Sequence, residues 1–323
     1  MNSAITKNHL DNYLQERRRL GFKLTTHSGC CKDFVRYLET QKHQGPLTAK
    51  QMAAWAKQDK WQTGNPATWA RRLKALRPFM RYLQQFEPLT EVPTFLVFGP
   101  VPERGTPHIF HEQEIVDLLA AARALGPPGD LRASIHETLF GLIAACGLRL
   151  CEAVQLLDHD VDLTVGMLTV RQTKFGKSRH VPLHPTTVAA LQRYRQLRNR
   201  FVKGTPESPF FIAWRGKFLG HRLPSRSVDR TFATLRERLG WPNRGMHHAA
   251  RIHDLRHTFA VRRMMLWHQD GTDIDQAMLA LSTYMGHTKI SNTYWYLTAV
   301  PELMTLAADK FERFLQAKEA EHA

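Results

Sequence analysis

A mainly α fold with a small antiparallel β-sheet is predicted by three observations. Apolar residues recur at steps of three and four along most of the 323-residue chain. One stretch, Val161 to Leu183, instead alternates apolar and polar residues, with Gly166 and Gly176 at its turns. Between these patterns, Pro88, Pro93, Pro100, Pro102 and Pro107, with Gly99 and Gly105, break any regular helix. The break divides the chain into a front domain (1–86), a semi-rigid linker (87–105) and a larger domain (106–323).

In the front domain, Leu10, Tyr13, Leu14 and Leu20 fall near helical spacing, and Phe34, Val35 and Leu38 mark a second helix. Thr48-Ala49-Lys50-Gln51 fits a capping box, in which the Thr and Gln side chains satisfy each other's backbone N–H groups and start a third. Asn65-Pro66 starts a fourth: Asn caps it, and proline in the first turn forfeits only an N–H that lacks a helical partner. The stripe of that helix is Trp69, Leu73, Leu76, Met80 and Leu83, and Pro78 inside it should bend it. Beyond the linker, Glu112 to Ala122 and Ile135 to Cys146 read as helices, the second ended by Gly147. The alternating stretch gives two or three short strands. Helices return from Pro185; the last, from about Pro301 to Ala317, carries Leu303, Ala307, Phe311 and Phe314 on one face. That face either closes its own core or docks on another subunit.

Forty-five Lys and Arg against 29 Asp and Glu give a net charge of +16. Residues 1–85 hold 16 of the basic and 5 of the acidic residues, so the front is far more charged per residue. Charge of this sign points to a polyanionic partner. Arg71, Arg72, Lys74 and Arg81 lie off the apolar stripe of the fourth helix and are expected on a DNA-facing surface. Cys30, Cys31, Cys146 and Cys151 lack zinc-knuckle spacing and read as reduced thiols. The first ten residues carry no apolar signal region, and the longest apolar run, Leu139 to Leu148, is far short of the roughly 20 residues a membrane span needs. A soluble, cytoplasmic protein with no membrane partner is expected. No Walker loop, no paired-acid metal cluster and no Gly-x-Ser-x-Gly elbow appears, which argues against ATP chemistry, two-metal nucleases and serine hydrolases.

Four pieces of the larger domain could carry chemistry. Gly147-Leu148-Arg149-Leu150-Cys151-Glu152 sets an arginine and an acid three residues apart at a helix start. Thr173-Lys174-Phe175-Gly176-Lys177 sets a lysine on a strand turn. His253-Asp254-Leu255-Arg256-His257 sets His253 and Arg256 one helical turn apart. Gly286-His287 precedes Tyr296 by nine residues, counted from the histidine. Singly, each has a dull reading. An Arg-x-x-Glu is usually a surface ion pair worth well under ~1 kcal/mol, and His253 with His257 would suit a metal only with a third ligand.

In this order, the pieces resemble the tyrosine recombinases, or phage-type integrases. The resemblance is strong over residues 106–323 and rests on size and charge alone in the front domain. Departures are Met285, where leucine usually precedes the Gly-His, a slightly longer segment from Gly271 to Tyr284, and a second tyrosine at Tyr294. The resemblance implies a helical core-binding (SAM-like) domain that clamps DNA, and a tyrosine-recombinase catalytic domain. It implies a site-specific recombinase of the kind mobile elements carry, working through a 3′-phosphotyrosine. Tyr296 would be the nucleophile. Arg149, Arg256 and His287 would hold the non-bridging phosphate oxygens. Lys174 would protonate the departing 5′ oxygen, His253 would take the phenol proton, and Glu152 would support a neighbouring base or arginine. His257 is expected to be a packed or orienting histidine. Neither metal nor ATP is expected. The implied partners are double-stranded DNA bearing an inverted-repeat site, further copies of the chain in a tetramer on two duplexes, and sibling recombinases or accessory factors. Competing readings are a type IB topoisomerase that reseals the same strand, a catalytically silent DNA-binding regulator and an RNA-binding protein.

Overall fold

The structure is a computed structural model that describes residues 3–22, 24–59, 64–99, 104–171, 178–299 and, beyond these, 303, 304, 308 and 312. The chain divides into two compact units, Met1–Arg104 and Gly105–Ala323.

The front unit is helical: α1 (Ser3–Arg19), α2 (Thr25–Thr40), α3 (Ala49–Lys57) and α4 (Pro66–Leu83). Both expected starts are present. Thr48 and Gln51 form the capping box of α3, and the Asn65 side chain accepts the Ala67 N–H ahead of Pro66. Leu10, Tyr13, Leu14, Phe34, Val35, Leu38, Leu73, Leu76, Met80 and Leu83 are all buried in one core. Leu20 is not. α1 stops at Arg19, the chain turns at Gly21, and Leu20 is 69 % exposed just past the helix end. α4 continues through Pro78, which lies on its exposed side, where water can take up the carbonyl that lost its donor. The stretch expected as a linker is, over its described residues 87–99, packed on this unit. Glu91 donates its N–H to the Leu47 carbonyl, Arg77 Nε donates to the Pro93 carbonyl, and Val92 and Phe98 lie against the core.

The larger unit runs α5 (Glu112–Arg123), α6 (Leu131–Cys146), α7 (Leu150–Gln155), β1 (Val161–Asp162), β2 (Met167–Val170), β3 (Arg179–Pro182), α8 (Pro185–Phe201), α9 (Ser225–Leu239), α10 (Ile252–Gln269), α11 (Ile274–Met285) and α12 (Ser291–Ala299). The three strands form one antiparallel sheet in sequence order, with Leu168 opposite both Val161 and Val181. The expected mainly α fold with a small antiparallel sheet is therefore the fold observed. Two hydrophobic clusters fill the unit. The larger joins α5, α6, α8, α9 and the sheet, and the smaller joins α10, α11 and α12. α10 spans both: Ile252 and Leu255 belong to the larger, and Ala260, Val261 and Met264 to the smaller. Arg256 stands at the changeover. Leu303 is buried in the smaller cluster, while Ala307, Phe311, Phe314 and most of the expected last helix lie outside the described residues.

Candidate active site

The site grows out of two helix ends. α6 stops at Gly147, whose left-handed backbone (φ 61°) lets its N–H reach back to the Ile143 carbonyl. α11 stops at Gly286 (φ 64°) in a Schellman motif, with Gly286 N–H on the Thr283 carbonyl and His287 N–H on the Ser282 carbonyl. That motif leaves the carbonyls of Tyr284, Met285 and Gly286 pointing out of the negative end of the helix. Three arginines take them. Arg179 Nε donates to Tyr284 O at 2.7 Å, Arg256 Nη2 to Met285 O at 2.6 Å, and Arg149 Nη2 to Gly286 O at 3.2 Å. Arg256 Nη1 also donates to the Gly147 carbonyl at 2.6 Å and so ties the two helix ends together.

Glu152 sits beneath this cluster. Arg149 is the N-cap of α7, and Glu152 accepts both its backbone N–H (3.0 Å) and its Nη1 (2.6 Å). The same carboxylate takes Arg179 in a fork, at 3.1 and 2.8 Å, and lies 3.9 Å from Arg256. Burial pushes the Glu152 carboxyl up, but Arg179's hydrogen bonds and charge, with the Arg149 amide and guanidinium, outweigh it and bring it down to about 2. Burial pulls the Arg256 guanidinium down to about 10. Arg149 and Arg179 act in the same direction, and Glu152 and Tyr296 oppose. Arg256 is 1 % exposed, whereas the Arg149 side chain is 29 % exposed and forms the open side of the cluster.

The other expected residues fall around it. His287 follows the Schellman turn, and its Nδ1 lies 2.7 Å from Oγ1 of buried Thr293 at the start of α12, which fixes the ring. His253 is exposed on the first turn of α10. Tyr296 is on α12 and is 0 % exposed, with its hydroxyl 2.7 Å from Nδ1 of His257. The His257 ring meets the edge of the His253 ring (centroids 4.6 Å, planes at 85°). Among the described residues, no three His, Cys, Asp or Glu side chains gather as a metal site would require. Lys174 lies outside the described residues. In the front unit, Arg71, Lys74 and Arg81 are exposed. Arg72 is drawn inward onto Asp33 at 3.0 Å, with its guanidinium 4.1 Å from the Trp55 ring, so it serves the core.

One residue of the cluster, Arg179, escaped the sequence reading, and so did one contact of His257, which was expected only to pack or orient. Arg179 stood out only as part of the alternating stretch from Val161 to Leu183. Its signal was phase: Arg179 and buried Val181 share the inward face of β3, and an inward arginine needs acceptors. The partnership of His257 with Tyr296 spans 39 residues and has no local signature.

The sequence pattern of the Phage integrase family matches residues 108–302. Relatives include "Putative integrase/recombinase y4rB" of Sinorhizobium fredii (strain NBRC 101917 / NGR234), 36 % identical over 304 residues that span 93 % of this chain and 95 % of that one. "Tyrosine recombinase XerC" of Pelotomaculum thermopropionicum is 30 % identical over 231 residues, 71 % of this chain and 70 % of that one. Among solved structures, the Tn1549 transposon integrase in complex with transposon right end DNA superposes with a TM-score of 0.64 at 19 % identity, covering 95 % of this chain and 99 % of the other. A lambda integrase dimer bound to a COC′ core site gives 0.62 at 17 % identity, covering 90 % and 96 %. The fold is thus that of a tyrosine recombinase. The chain belongs to the Phage integrase family, whose members include site-specific recombinases.

Proposed function

We propose that this protein is a site-specific DNA recombinase that cuts and rejoins strands through a 3′-phosphotyrosine, without metal or ATP. One observation carries the reading. Three motifs that lie far apart in sequence, Gly-Leu-Arg-x-x-Glu, His-x-x-Arg and Gly-His, close on one spot because Arg149 and Arg256 both hold the end of α11. The carbonyl bonds of Arg256 use two of its five N–H donors, so others remain for a phosphate.

In this reading, the Tyr296 oxygen attacks the scissile phosphorus. A new P–O bond to tyrosine forms as the P–O5′ bond breaks. The phenol proton passes to His253, and the 5′ oxygen leaves with a proton from Lys174. Arg149, Arg256 and His287 stabilise the charge that builds on the non-bridging oxygens, and Glu152 holds Arg149 in place. The freed 5′-hydroxyl then attacks the phosphotyrosine of a partner strand. Strand exchange between two duplexes requires four active sites, hence a tetramer acting at inverted repeats, in the cytoplasm and on a mobile element. The front unit, Met1–Arg104, adds phosphate contacts through Arg71, Lys74 and Arg81. Arg72 leaves that set because it is bound within its own unit.

The test is a nicked suicide duplex carrying the recognition site. Wild type is expected to form a covalent adduct in EDTA, and Tyr296→Phe none. An adduct that persists in Tyr296→Phe overturns the assignment. Relaxation of supercoiled DNA with no recombinant product would replace strand exchange by same-strand resealing.

A further inference from the structure

We infer that His257 is a positioning residue for the nucleophile: it latches the Tyr296 hydroxyl inside the fold, and release of that latch gates attack. The inference rests on Tyr296 being the nucleophile. Three features carry it. Tyr296 is wholly buried, so a phosphate reaches its oxygen only after the side chain is released. That oxygen lies 2.7 Å from Nδ1 of His257, which is itself buried. Arg256, which follows the same buried pattern at 1 % exposure, grips the carbonyls of Gly147 and Met285, while Arg149 keeps the cluster's open side.

His257 is well built for this task and poorly placed for proton transfer to solvent. Its ring is wedged between the edge of His253 (4.6 Å), Tyr296 (5.4 Å) and Trp295 (5.9 Å). It sits on α10 directly after Arg256, the residue that bonds the end of α11. A phosphate that pulls on Arg256 therefore pulls on the backbone that carries the latch. Attack requires the Tyr296 hydroxyl to leave Nδ1 of His257, which stays behind on α10. The histidine that waits outside is exposed His253.

The test reads the latch with and without DNA. In the DNA-free protein, Tyr296→Phe keeps the ring and removes only the hydroxyl, so the ¹⁵N resonances of the His257 ring are expected to shift; unchanged resonances overturn the latch. His257→Phe is expected to raise nitration of Tyr296 by tetranitromethane, mapped by peptide mass, about fivefold. It is also expected to raise the single-turnover rate of adduct formation two- to tenfold at unchanged duplex affinity. His257→Asn, which keeps a polar atom near the Nδ1 position, is expected to restore both wild-type values. A tenfold or greater fall in adduct formation in His257→Phe, at unchanged affinity, overturns the latch and makes His257 the acceptor of the phenol proton. If wild type forms no adduct at all, the nucleophile reading fails separately, and the resonance measurement still decides whether His257 holds Tyr296.

Discussion

The cations of α4 and the cations around α11 sit in opposite surroundings. On α4, Arg71, Lys74 and Arg81 face water, whereas Arg72 turns inward onto Asp33 and Arg77 bonds the Pro93 carbonyl. At the end of α11, Arg179 and Arg256 are withdrawn from water and held by carbonyls and by Glu152, with Arg149 as their open edge. An exposed guanidinium costs almost nothing to fold and acts at long range through counterion release. A buried one must be given acceptors before it can be buried at all. The acceptors here are the orphan carbonyls of a helix end, which need donors equally. The exposed cations of the front unit are therefore expected to tolerate exchange of one basic residue for another, whereas the arginine cluster at the end of α11 is expected to lose more when a member is removed.

The largest effect that can break this contrast is expected from Glu152→Gln. The carboxyl lies near 2 in the folded chain against an ordinary value of 4.5. At about 1.4 kcal/mol for each unit, the charged form contributes about 3 kcal/mol. The depressed value fixes the sign. The contribution is fully present above about pH 4.5 and is lost as the pH falls towards 2. Urea unfolding at pH 7 should show Glu152→Gln less stable by that order, and the gap to wild type should close between pH 4.5 and 2. Equal stability at pH 7 would mean that the arginines are held by α11 alone.

Gly147→Ala should come next, at about 2 kcal/mol. Its φ of 61° strains any side chain, and an added Cβ would meet Phe259 Cδ1 at 2.5 Å and the Met285 sulfur at 3.1 Å. Gly240 offers the control: it ends α9 at φ 60° with nothing within 4 Å, so Gly240→Ala should cost only the backbone term of about 1 kcal/mol. Gly147→Ala disturbs both carbonyls that hold Arg256. Adduct formation should therefore fall much further than duplex affinity, and Gly240→Ala should leave that ratio untouched. Matching losses in the two variants would show that the end of α6 only stops a helix.

What was legible in the sequence follows the same division. Local chemistry was readable: the Thr48 box, the Asn65-Pro66 start, the Gly147 stop and the alternating strands each depend on a few adjacent residues. The motif order named Arg149, Glu152, Lys174, His253, Arg256, His287 and Tyr296 as one set; Arg149, Glu152 and Arg256 gather at the end of α11, and His287 follows that end directly in the chain. Leu20 misled because periodicity continues past the residue where Gly21 turns the chain. The burial of Tyr296, its contact with His257 and the partners of Arg179, beyond its inward phase on β3, were not legible. Each depends on which distant carbonyls or rings the tertiary fold delivers, and a side chain's own neighbours in sequence carry no trace of that.

Adjacent arginines on α4 give the finest test, because they differ in surroundings and in almost nothing else. Arg72 bonds Asp33 at 3.0 Å and lies over Trp55, whose own indole N–H donates to the same carboxylate at 3.2 Å. Its side chain is 17 % exposed and that of Asp33 is 47 % exposed, so solvent screens the pair. Together, ion pair and ring contact should be worth about 1 kcal/mol. Arg72→Ala should therefore lower stability by that order and leave the salt dependence of duplex binding as it was. Arg71→Ala should leave stability within about 0.5 kcal/mol and lower duplex affinity a few-fold. The slope of log affinity against log salt should shrink by about 0.9, the share of one phosphate contact. Unfolding curves and salt titrations on the two variants separate these outcomes. Two variants with the same salt slope and the same stability would mean that position on α4, and not partnership, sets what its arginines do.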